Sequence, residues 1–144
     1  NPNNITLEAW IKKDSEGYQT ILGKSSNGRI LSLDITGEDK LLFHIWLGGS
    51  GNGYKSIDYI SLLEWQYIAV TFAGSDGPIK MYINGSLENT TNISTARNTN
   101  SNSFQIAQSA VWGSRQLNGL IDEVRVYNRA LSADEVKTLY DTTK

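Results

Sequence analysis

Much of the chain alternates apolar and polar residues with the period of two that is typical of β-strands. The segment Ile5–Lys13 has apolar residues at its odd positions as far as Ile11, and Lys40–Leu47 has them at every odd position. Successive side chains of a strand point to opposite faces, so each pattern predicts a strand with one buried face. The full set of predicted strands is Ile5–Lys13, Thr20–Lys24, Arg29–Thr36, Lys40–Leu47, Tyr54–Ile60, Trp65–Ala73, Ile79–Ile83, Leu87–Thr91, Ser103–Gln108 and Leu120–Tyr127.

Turn-forming residues separate these strands at short intervals. Asn84-Gly85 is a strong hairpin signal, and Ser75–Pro78 predicts a turn. The glycine-rich stretch Gly48–Gly53 predicts the most flexible loop of the chain, and the polar stretch Ser94–Ser103 predicts a long loop. Many short strands joined by turns, with no long helix between them, predict an all-β fold, an antiparallel β-sandwich.

The end of the chain predicts one short helix. Ser132 is a good N-cap, and Glu135 follows three residues later, which is the spacing of a capping box. Val136, Leu139 and Tyr140 then fall on one helical face. A helix of two to three turns is marginal alone, so this face should pack onto the sheet edge.

The last predicted strand places a carboxylate, Asp122, among apolar side chains. Three apolar residues share its face by alternation: Leu120, Val124 and Val126. Because a buried charge is costly unless it is paired, we expect Asp122 to lie at the rim of the core with a partner. Two partners fit a carboxylate there, namely backbone N–H groups of the corner Asn128–Leu131 or a calcium ion.

Four stretches of the sequence carry a family resemblance, in the same order as in the family. They read ITLEAWIK at 5–12, WQYIAVTF at 65–72, KMYING at 80–85 and GLIDEVRVYNRALS at 119–132. Together they resemble laminin-G-like domains of the concanavalin A-like superfamily. The resemblance covers nearly the whole chain and implies a single domain over 1–144 with jelly-roll topology.

The same resemblance implies a missing strand. Related domains usually have a strand before the stretch equivalent to Ile5–Lys12, and that strand pairs beside the closing strand Leu120–Tyr127. This chain begins too late to include it. We therefore expect the closing strand to have an open edge, which another segment or another chain could complete by strand addition.

The charge and composition of the chain exclude several function classes. Thirteen Lys and Arg residues against 15 Asp and Glu residues give a net charge of −2, so no electrostatic argument exists for binding nucleic acid or an anionic membrane. No apolar run approaches the roughly 20 residues that a membrane span needs. Cysteine is absent, which excludes disulfides and thiol chemistry.

The sequence also lacks the usual catalytic arrangements, so we predict that it is not an enzyme. His44 is the only histidine, which leaves one candidate base for a triad and too few ligands for zinc. Gly23–Ser25 resembles part of a phosphate loop, but Tyr18 stands where its first glycine should be. Jelly-roll glycosidases carry Glu-x-Asp-x-x-Glu along a strand, and this chain has Leu120 and Arg125 at the two glutamate positions.

A sugar site needs an aromatic face for stacking and polar groups that bind hydroxyls. The candidates are Trp112, Arg115, Trp46, His44 and Tyr54. We expect Trp112 to be the most exposed of them, because Ser and Gly residues surround it. The alternative for His44 is an ordinary polar-face residue, and the alternative for Trp46 is covering a sheet face. Trp10 and Trp65 lie in strong strands and are expected to pack in the core or between strands.

Calcium and glycosylation are two further expectations. The resemblance implies calcium as a cofactor, and the argument from a buried carboxylate makes Asp122 the first candidate ligand. Asp14, Asp34 and Asp76 are weaker candidates, because such residues are more often simple turn or solvated-face residues. Four N-x-Ser/Thr sequons are expected to be glycosylation sites: Asn4, Asn84, Asn89 and Asn92. Their clustering favours an extracellular surface, although Asn-rich polar loops without any sugar would give the same pattern.

These observations lead to one functional hypothesis and two alternatives. The leading hypothesis is a non-catalytic, lectin-like module, extracellular or at the cell surface, that binds a glycan or a protein surface ligand. It would be one part of a larger multidomain protein. The first alternative is a structural or adhesive assembly domain that acts by strand exchange. The second is a glycosidase, which the missing carboxylates disfavour.

Overall fold

The computed structural model describes residues 4–26, 29–98, 102–108 and 115–144. The described residues form ten strands and one helix: β1 Asn4–Lys13, β2 Gln19–Ser26, β3 Arg29–Ile35, β4 Lys40–Leu47, β5 Ser50–Tyr59, β6 Gln66–Ala73, β7 Pro78–Ile83, β8 Ser86–Asn92, β9 Gln105–Ile106, β10 Gly119–Tyr127 and α1 Ala133–Thr143. They build two antiparallel sheets of five strands each. The first sheet has the order β10-β1-β6-β7-β8, and the second has the order β5-β4-β3-β2-β9. The predicted all-β sandwich with one short terminal helix is confirmed.

The core lies between the two sheets and follows the predicted alternation. Leu7 and Ile11 of β1 and Phe43 and Ile45 of β4 are buried in one continuous apolar cluster. Burying a side chain of this size contributes about 1.5–3 kcal/mol. The same alternation sends the intervening residues of each strand to the outer face of its sheet.

One turn is tighter than the sequence suggested. Strand β5 begins at Ser50, so most of the stretch 48–53 is paired with β4 and is not a flexible loop. Gly48 and Gly49 make the turn, with φ of 53° and 95°. The prediction failed because glycine serves here inside a strand as well as in its turn.

Helix α1 covers the outer face of the first sheet. Trp10 of β1 stacks on Tyr140 of the helix with ring centroids 5.7 Å apart, and it meets the edge of Tyr67 of β6 at 5.7 Å. Val136 is fully buried in the same cluster. Strand β1 is therefore buried on both faces, whereas the sequence predicted a half-buried strand.

Within the described ranges, no helix has the length and apolar character needed to cross a bilayer.

The start of the helix and the corner before it are fixed by hydrogen bonds. Ser132 Oγ accepts from the Glu135 backbone N–H at 3.2 Å, and the Glu135 carboxylate accepts from the Ser132 N–H at 2.8 Å. This confirms the capping box. Thr6 joins the corner to β1, because its hydroxyl donates to Arg129 O at 2.8 Å and accepts from Leu131 N–H at 3.0 Å. The corner's partner is thus Thr6 and not Asp122.

A β-bulge changes the face assignments in β10. The register passes from Glu8–Arg125 to Trp10–Asp122, so two residues of β10 lie opposite one residue of β1. Glu123 in the bulge has φ of 52°. Since the extra residue reverses the alternation, Asp122 and Val124 do not share a face.

The burial of β10 follows from this bulge. Ile121 and Val124 pack against the core, whereas Leu120 and Val126 are exposed by 53% and 44%. Asp122 is exposed as well. The prediction of a buried apolar face that includes Asp122 is therefore wrong.

In the described part of the chain, β10 pairs only with β1, so the expected open edge is present.

A buried carboxylate joins β1, β6 and β10 on the side that α1 covers. Glu8 is fully buried, and its oxygens accept from Tyr67 OH, from Arg125 Nη1 at 3.0 Å and from Tyr127 OH at 3.2 Å. Burial raises the pKa of Tyr67, and the Glu8 carboxylate adds to the rise. The phenol therefore stays protonated and donates its hydrogen bond. Arg125 also pairs with Glu123 at the surface.

Replacing the buried acid should cost more stability than replacing the exposed one. We expect Glu8→Gln to lower the free energy of unfolding by about 2 kcal/mol, because it removes the charge from several buried hydrogen bonds. The matched change Glu123→Gln, at the other carboxylate beside Arg125, should cost less than about 1 kcal/mol. Urea unfolding followed by tryptophan fluorescence measures both. Equal losses would contradict this account of the network.

Candidate functional site

Polar and aromatic side chains gather on the outer face of the second sheet. Strand β4 sends His44 and Trp46 to this face, while its neighbours Phe43 and Ile45 point into the core. His44 and Trp46 are half-buried. The antiparallel register sets His44 beside Ser32 of β3. We call this region, from β2 to β5, the β4 face.

Small residues run across the second sheet at the β4 face. Gly23, Ser32, His44 and Gly53 form one row from β2 to β5. A Cβ at Gly23 would lie 2.7 Å from Ser32 Cβ, which no ordinary side chain allows. The row is therefore a floor of small residues with the imidazole of His44 among them.

Two glycines of β5 lie against the aromatic rings. A Cβ at Gly51 would lie 3.2 Å from the Trp46 ring, and one at Gly53 would lie 3.6 Å from His44 Cδ2. The rings thus lie against backbone that carries no side chains. The signal was present in the sequence, because the spacing of Gly51 and Gly53 matches that of His44 and Trp46 across the hairpin.

A buried carboxylate lies beside this row. Asp34 of β3 is fully buried, and its two oxygens accept from Thr20 Oγ1 and Ser32 Oγ, both at 2.6 Å. Burial raises the pKa of Asp34, although the two hydroxyl donors and the charges of His44 and Arg115 oppose the rise. The sequence placed Asp34 on a turn or a solvated face and Asp122 near the core, and the structure reverses these positions.

Arg115 joins the same cluster from the late loop. Its guanidinium lies 3.9 Å from the centre of the Tyr18 ring, and its backbone carbonyl accepts from Thr20 N–H at 2.9 Å. Burial raises the pKa of Tyr18 and Asp34 adds to the rise, while Arg115 opposes it. The cluster therefore combines hydroxyls, an imidazole, a carboxylate, a guanidinium and an indole, which is suited to binding a polar ligand with an apolar side.

The remaining sugar-site candidates lie elsewhere. Tyr54 is paired with Phe43 and packs against the core between the sheets, so it is on the opposite face from His44 and Trp46. Trp112 lies outside the described residues. The sequence therefore identified three members of the cluster, His44, Trp46 and Arg115. It gave no functional signal for Thr20 or Ser32, which are common strand residues.

The other two tryptophans have different environments. Trp10 is 9% exposed and packs as predicted. Trp65 is 44% exposed, so the prediction that it packs in the core or between strands is wrong. It stands one residue before β6 begins, where a side chain can leave the sheet.

The calcium prediction rested on a buried Asp122, and the structure does not bury this residue. Asp122 is exposed, and its Oδ1 accepts from the Glu123 backbone N–H at 2.7 Å. Among the residues that the structure describes, no group of three or more acidic, His or Cys side chains is arranged to hold a metal ion. Asp14 and Asp76 are exposed residues at turns. The described residues do not fit a calcium site that needs six to eight oxygens, and calcium binding stays a prediction.

The four sequons differ in access. Asn92 is exposed. Asn84 Oδ1 accepts from Tyr67 N–H at 3.0 Å, and Asn89 Nδ2 donates to Lys55 O at 2.8 Å. The Oδ1 atom of Asn4 is buried. Asn92 is thus the most accessible acceptor, and use of the sequons stays a prediction.

Comparison with known sequences supports the resemblance. The sequence profile of a family described as the concanavalin A-like lectin/glucanases superfamily matches residues 1–137. Botulinum neurotoxin type X from Clostridium botulinum is 28% identical over 147 residues, which cover 96% of this chain and 11% of that protein. The chain therefore spans about a tenth of the length of this curated relative.

Solved structures share the fold. A candidate carbohydrate-binding protein from Bacteroides ovatus superposes with a TM-score of 0.78 at 24% identity, covering 94% of this chain and 40% of the other. The CBM40 module of the Ruminococcus gnavus IT-sialidase, bound to α2,3-sialyllactose, superposes with a TM-score of 0.76 at 18% identity, covering 96% of this chain and 83% of the other. At these identities, the likeness shows the fold alone.

The buried Asp34 predicts a pH effect on stability. A carboxyl whose pKa rises on folding favours the native state at low pH, and this contribution is lost as the pH rises through the raised pKa. We expect the free energy of unfolding of the unmodified protein, relative to Asp34→Asn, to fall from about pH 4 upward, because asparagine cannot ionise. Urea unfolding over a pH series measures this difference. Asp76→Asn is the control for loss of one exposed charge, and parallel profiles for the unmodified protein and Asp34→Asn would contradict the assignment.

Proposed function

The chain belongs to the concanavalin A-like lectin/glucanases superfamily, and from that premise we propose that it is a lectin-like module that binds carbohydrate at the β4 face. One observation carries this proposal: the Trp46 and His44 rings lie beside Gly51 and Gly53, next to the hydrogen-bonded Asp34. The fold shared with a sialyllactose-bound module supports the same ligand class.

The geometry suits a sugar ring for a physical reason. The C–H side of a pyranose is apolar and stacks on an indole such as that of Trp46. Hydroxyls at the ring's edge need donors and acceptors, which His44, Ser32 and Arg115 supply. The buried Asp34 holds the Ser32 and Thr20 hydroxyls at 2.6 Å and so fixes the orientation of the floor beneath the ligand.

The module acts without catalysis in this proposal. Glycoside hydrolysis needs a pair of carboxyl groups flanking the scissile bond. Asp34 alone among the described residues of the cluster is a carboxylate, and it is bound by two hydroxyls. Leu120 and Arg125 occupy the positions at which related glycosidases have their glutamates.

The setting of the module is part of the proposal. The exposed Asn92 sequon and the likeness to a botulinum neurotoxin support an extracellular or cell-surface location. The small share of the neurotoxin that the chain matches supports a place in a larger multidomain protein. Trp112 stays a proposed ligand contact, because Arg115, three residues later, belongs to the β4 face.

A second candidate function follows from the edge of the first sheet. Within the described residues, β10 has no partner on its outer side, and Leu120 and Val126 are exposed there. An edge of this kind accepts an added strand. The alternative proposal is an assembly domain that takes a strand from another segment or another chain.

A glycan array tests the leading proposal. We expect binding to a limited set of glycans, and we expect Trp46→Ala to weaken it at least tenfold, because the stacking surface is lost. Isothermal titration with the best glycan measures the change. Trp112→Ala should weaken binding as well.

The matched control is Trp65→Ala, which removes an exposed tryptophan from the opposite sheet and should leave glycan affinity unchanged. Near-ultraviolet circular dichroism confirms that each variant is folded. Silence across the array, combined with mass growth at high concentration in light scattering, would refute carbohydrate binding and favour strand addition.

A further inference from the structure

A second recess lies on the outer face of the first sheet, away from the β4 face. It is an open cleft of ≈ 390 Å³ between the end of α1 and the strands β1 and β10. Its lining residues are Trp10, Trp65, Asp122, Glu123, Thr143 and Lys144. Two indoles and two carboxylates therefore meet in one place that the proposed sugar site does not use.

The two tryptophans give the cleft different surfaces. Trp10 Nε1 donates to Thr143 Oγ1 at 2.8 Å, and its ring stacks on Tyr140, so its polar group and one face are already used. Trp65 is 44% exposed and is one of the larger apolar side chains left at the surface. The indole of Trp65 is thus the accessible aromatic wall.

The bulge in β10 brings the carboxylates to this wall. Asp122 lies opposite Trp10 in the strand register, and Glu123 is the bulge residue that follows it. Glu123 forms a salt bridge with Arg125, which also pairs with the buried Glu8. Asp122 accepts one backbone hydrogen bond and makes no salt bridge within the described residues. A carboxylate without a salt bridge therefore lines the same cleft as an exposed indole.

Lys144, the one cation among the described lining residues, pairs with a carboxylate of the helix. Lys144 Nζ lies 3.4 Å from Asp141 Oδ1 and 4.9 Å from the centre of the Tyr140 ring. Its ammonium group pairs with the helix carboxylate, and no salt bridge joins Lys144 to Asp122 within the described residues. The described lining thus carries two carboxylates, Asp122 and Glu123, and one ammonium group, Lys144.

We propose that this cleft binds a quaternary ammonium group of the choline type. Such a cation is attracted by the face of a tryptophan such as Trp65, and its charge complements Asp122. A primary ammonium is a compact, strongly hydrated charge and loses more hydration when it contacts an indole. Methylated ammonium carries its charge on a carbon surface that suits contact with the exposed indole of Trp65. This site is independent of the proposed sugar site.

Three ligands test the charge requirement. Choline chloride is titrated into the protein while tryptophan fluorescence is followed, at constant ionic strength set with sodium chloride. We expect saturable binding of choline, with n-butylammonium weaker and the neutral isostere 3,3-dimethylbutan-1-ol weaker by at least tenfold. No saturable change with choline, or equal binding of the alcohol, would overturn the proposal.

Variants locate the site. Asp122→Asn and Trp65→Ala should each weaken choline binding at least tenfold, measured by isothermal titration. Glu123→Gln is the matched acidic control and should have a smaller effect, because Glu123 already forms a salt bridge with Arg125. Lys144→Gln should keep or improve binding, and a loss there would instead indicate an anion site and overturn the proposal. Trp46→Ala should leave choline affinity unchanged, so failure here and failure of the sugar site are distinguishable.

The choice of probe distinguishes two sources of the quaternary ammonium group, a lipid headgroup and a soluble ligand. Sedimentation with phosphatidylcholine vesicles, compared with phosphatidylglycerol vesicles, detects recognition of a lipid headgroup. Binding of free choline without selective vesicle sedimentation points to a soluble ligand. Both results support the cation site, provided that Trp65→Ala abolishes them.

Discussion

The packing of Trp10 between the first sheet and α1 is the contact on which the arrangement of the molecule depends. Strand β1 lies between β10 and β6 in that sheet, and on its outer face Trp10 joins Tyr67 and Tyr82 in a buried aromatic cluster. Trp10 stacks on Tyr140, and Thr6 fastens the corner that delivers the helix. The helix packs on this face, and the residues that we propose to bind sugar lie on the second sheet.

The alternation of apolar and polar residues was a reliable guide to the strands and their faces. It failed in β10, where a bulge inserts one residue. It identified the strands and the inner faces of β1 and β4 correctly. In β10 the bulge at Glu123 has no glycine to announce it, so Asp122 was placed with Val124 although they lie on opposite faces. The burial of Asp34 depends on what packs over its sheet, and a single strand's pattern carries no such information.

The same alternation made part of the candidate site predictable from the sequence. His44 and Trp46 are two residues apart in one strand, so their common face was predictable, and Tyr54 was misjudged because its strand begins earlier than expected. Gly51 and Gly53 suggested a flexible loop, but they lie opposite the rings of Trp46 and His44, where backbone and rings approach closely. Tertiary contacts such as Arg115 with Tyr18 cannot be deduced from residue spacing.

Mapping of amide chemical shifts is the most direct test of the claim that the second sheet holds the ligand. The protein labelled with ¹⁵N is titrated with the best glycan from the array. The account predicts that the amides of Gly23, Ser32, His44 and Gly51 shift together, while the indole N–H of Trp65 on the first sheet stays in place. Shifts confined to the first sheet around Trp65 and β10 would contradict it.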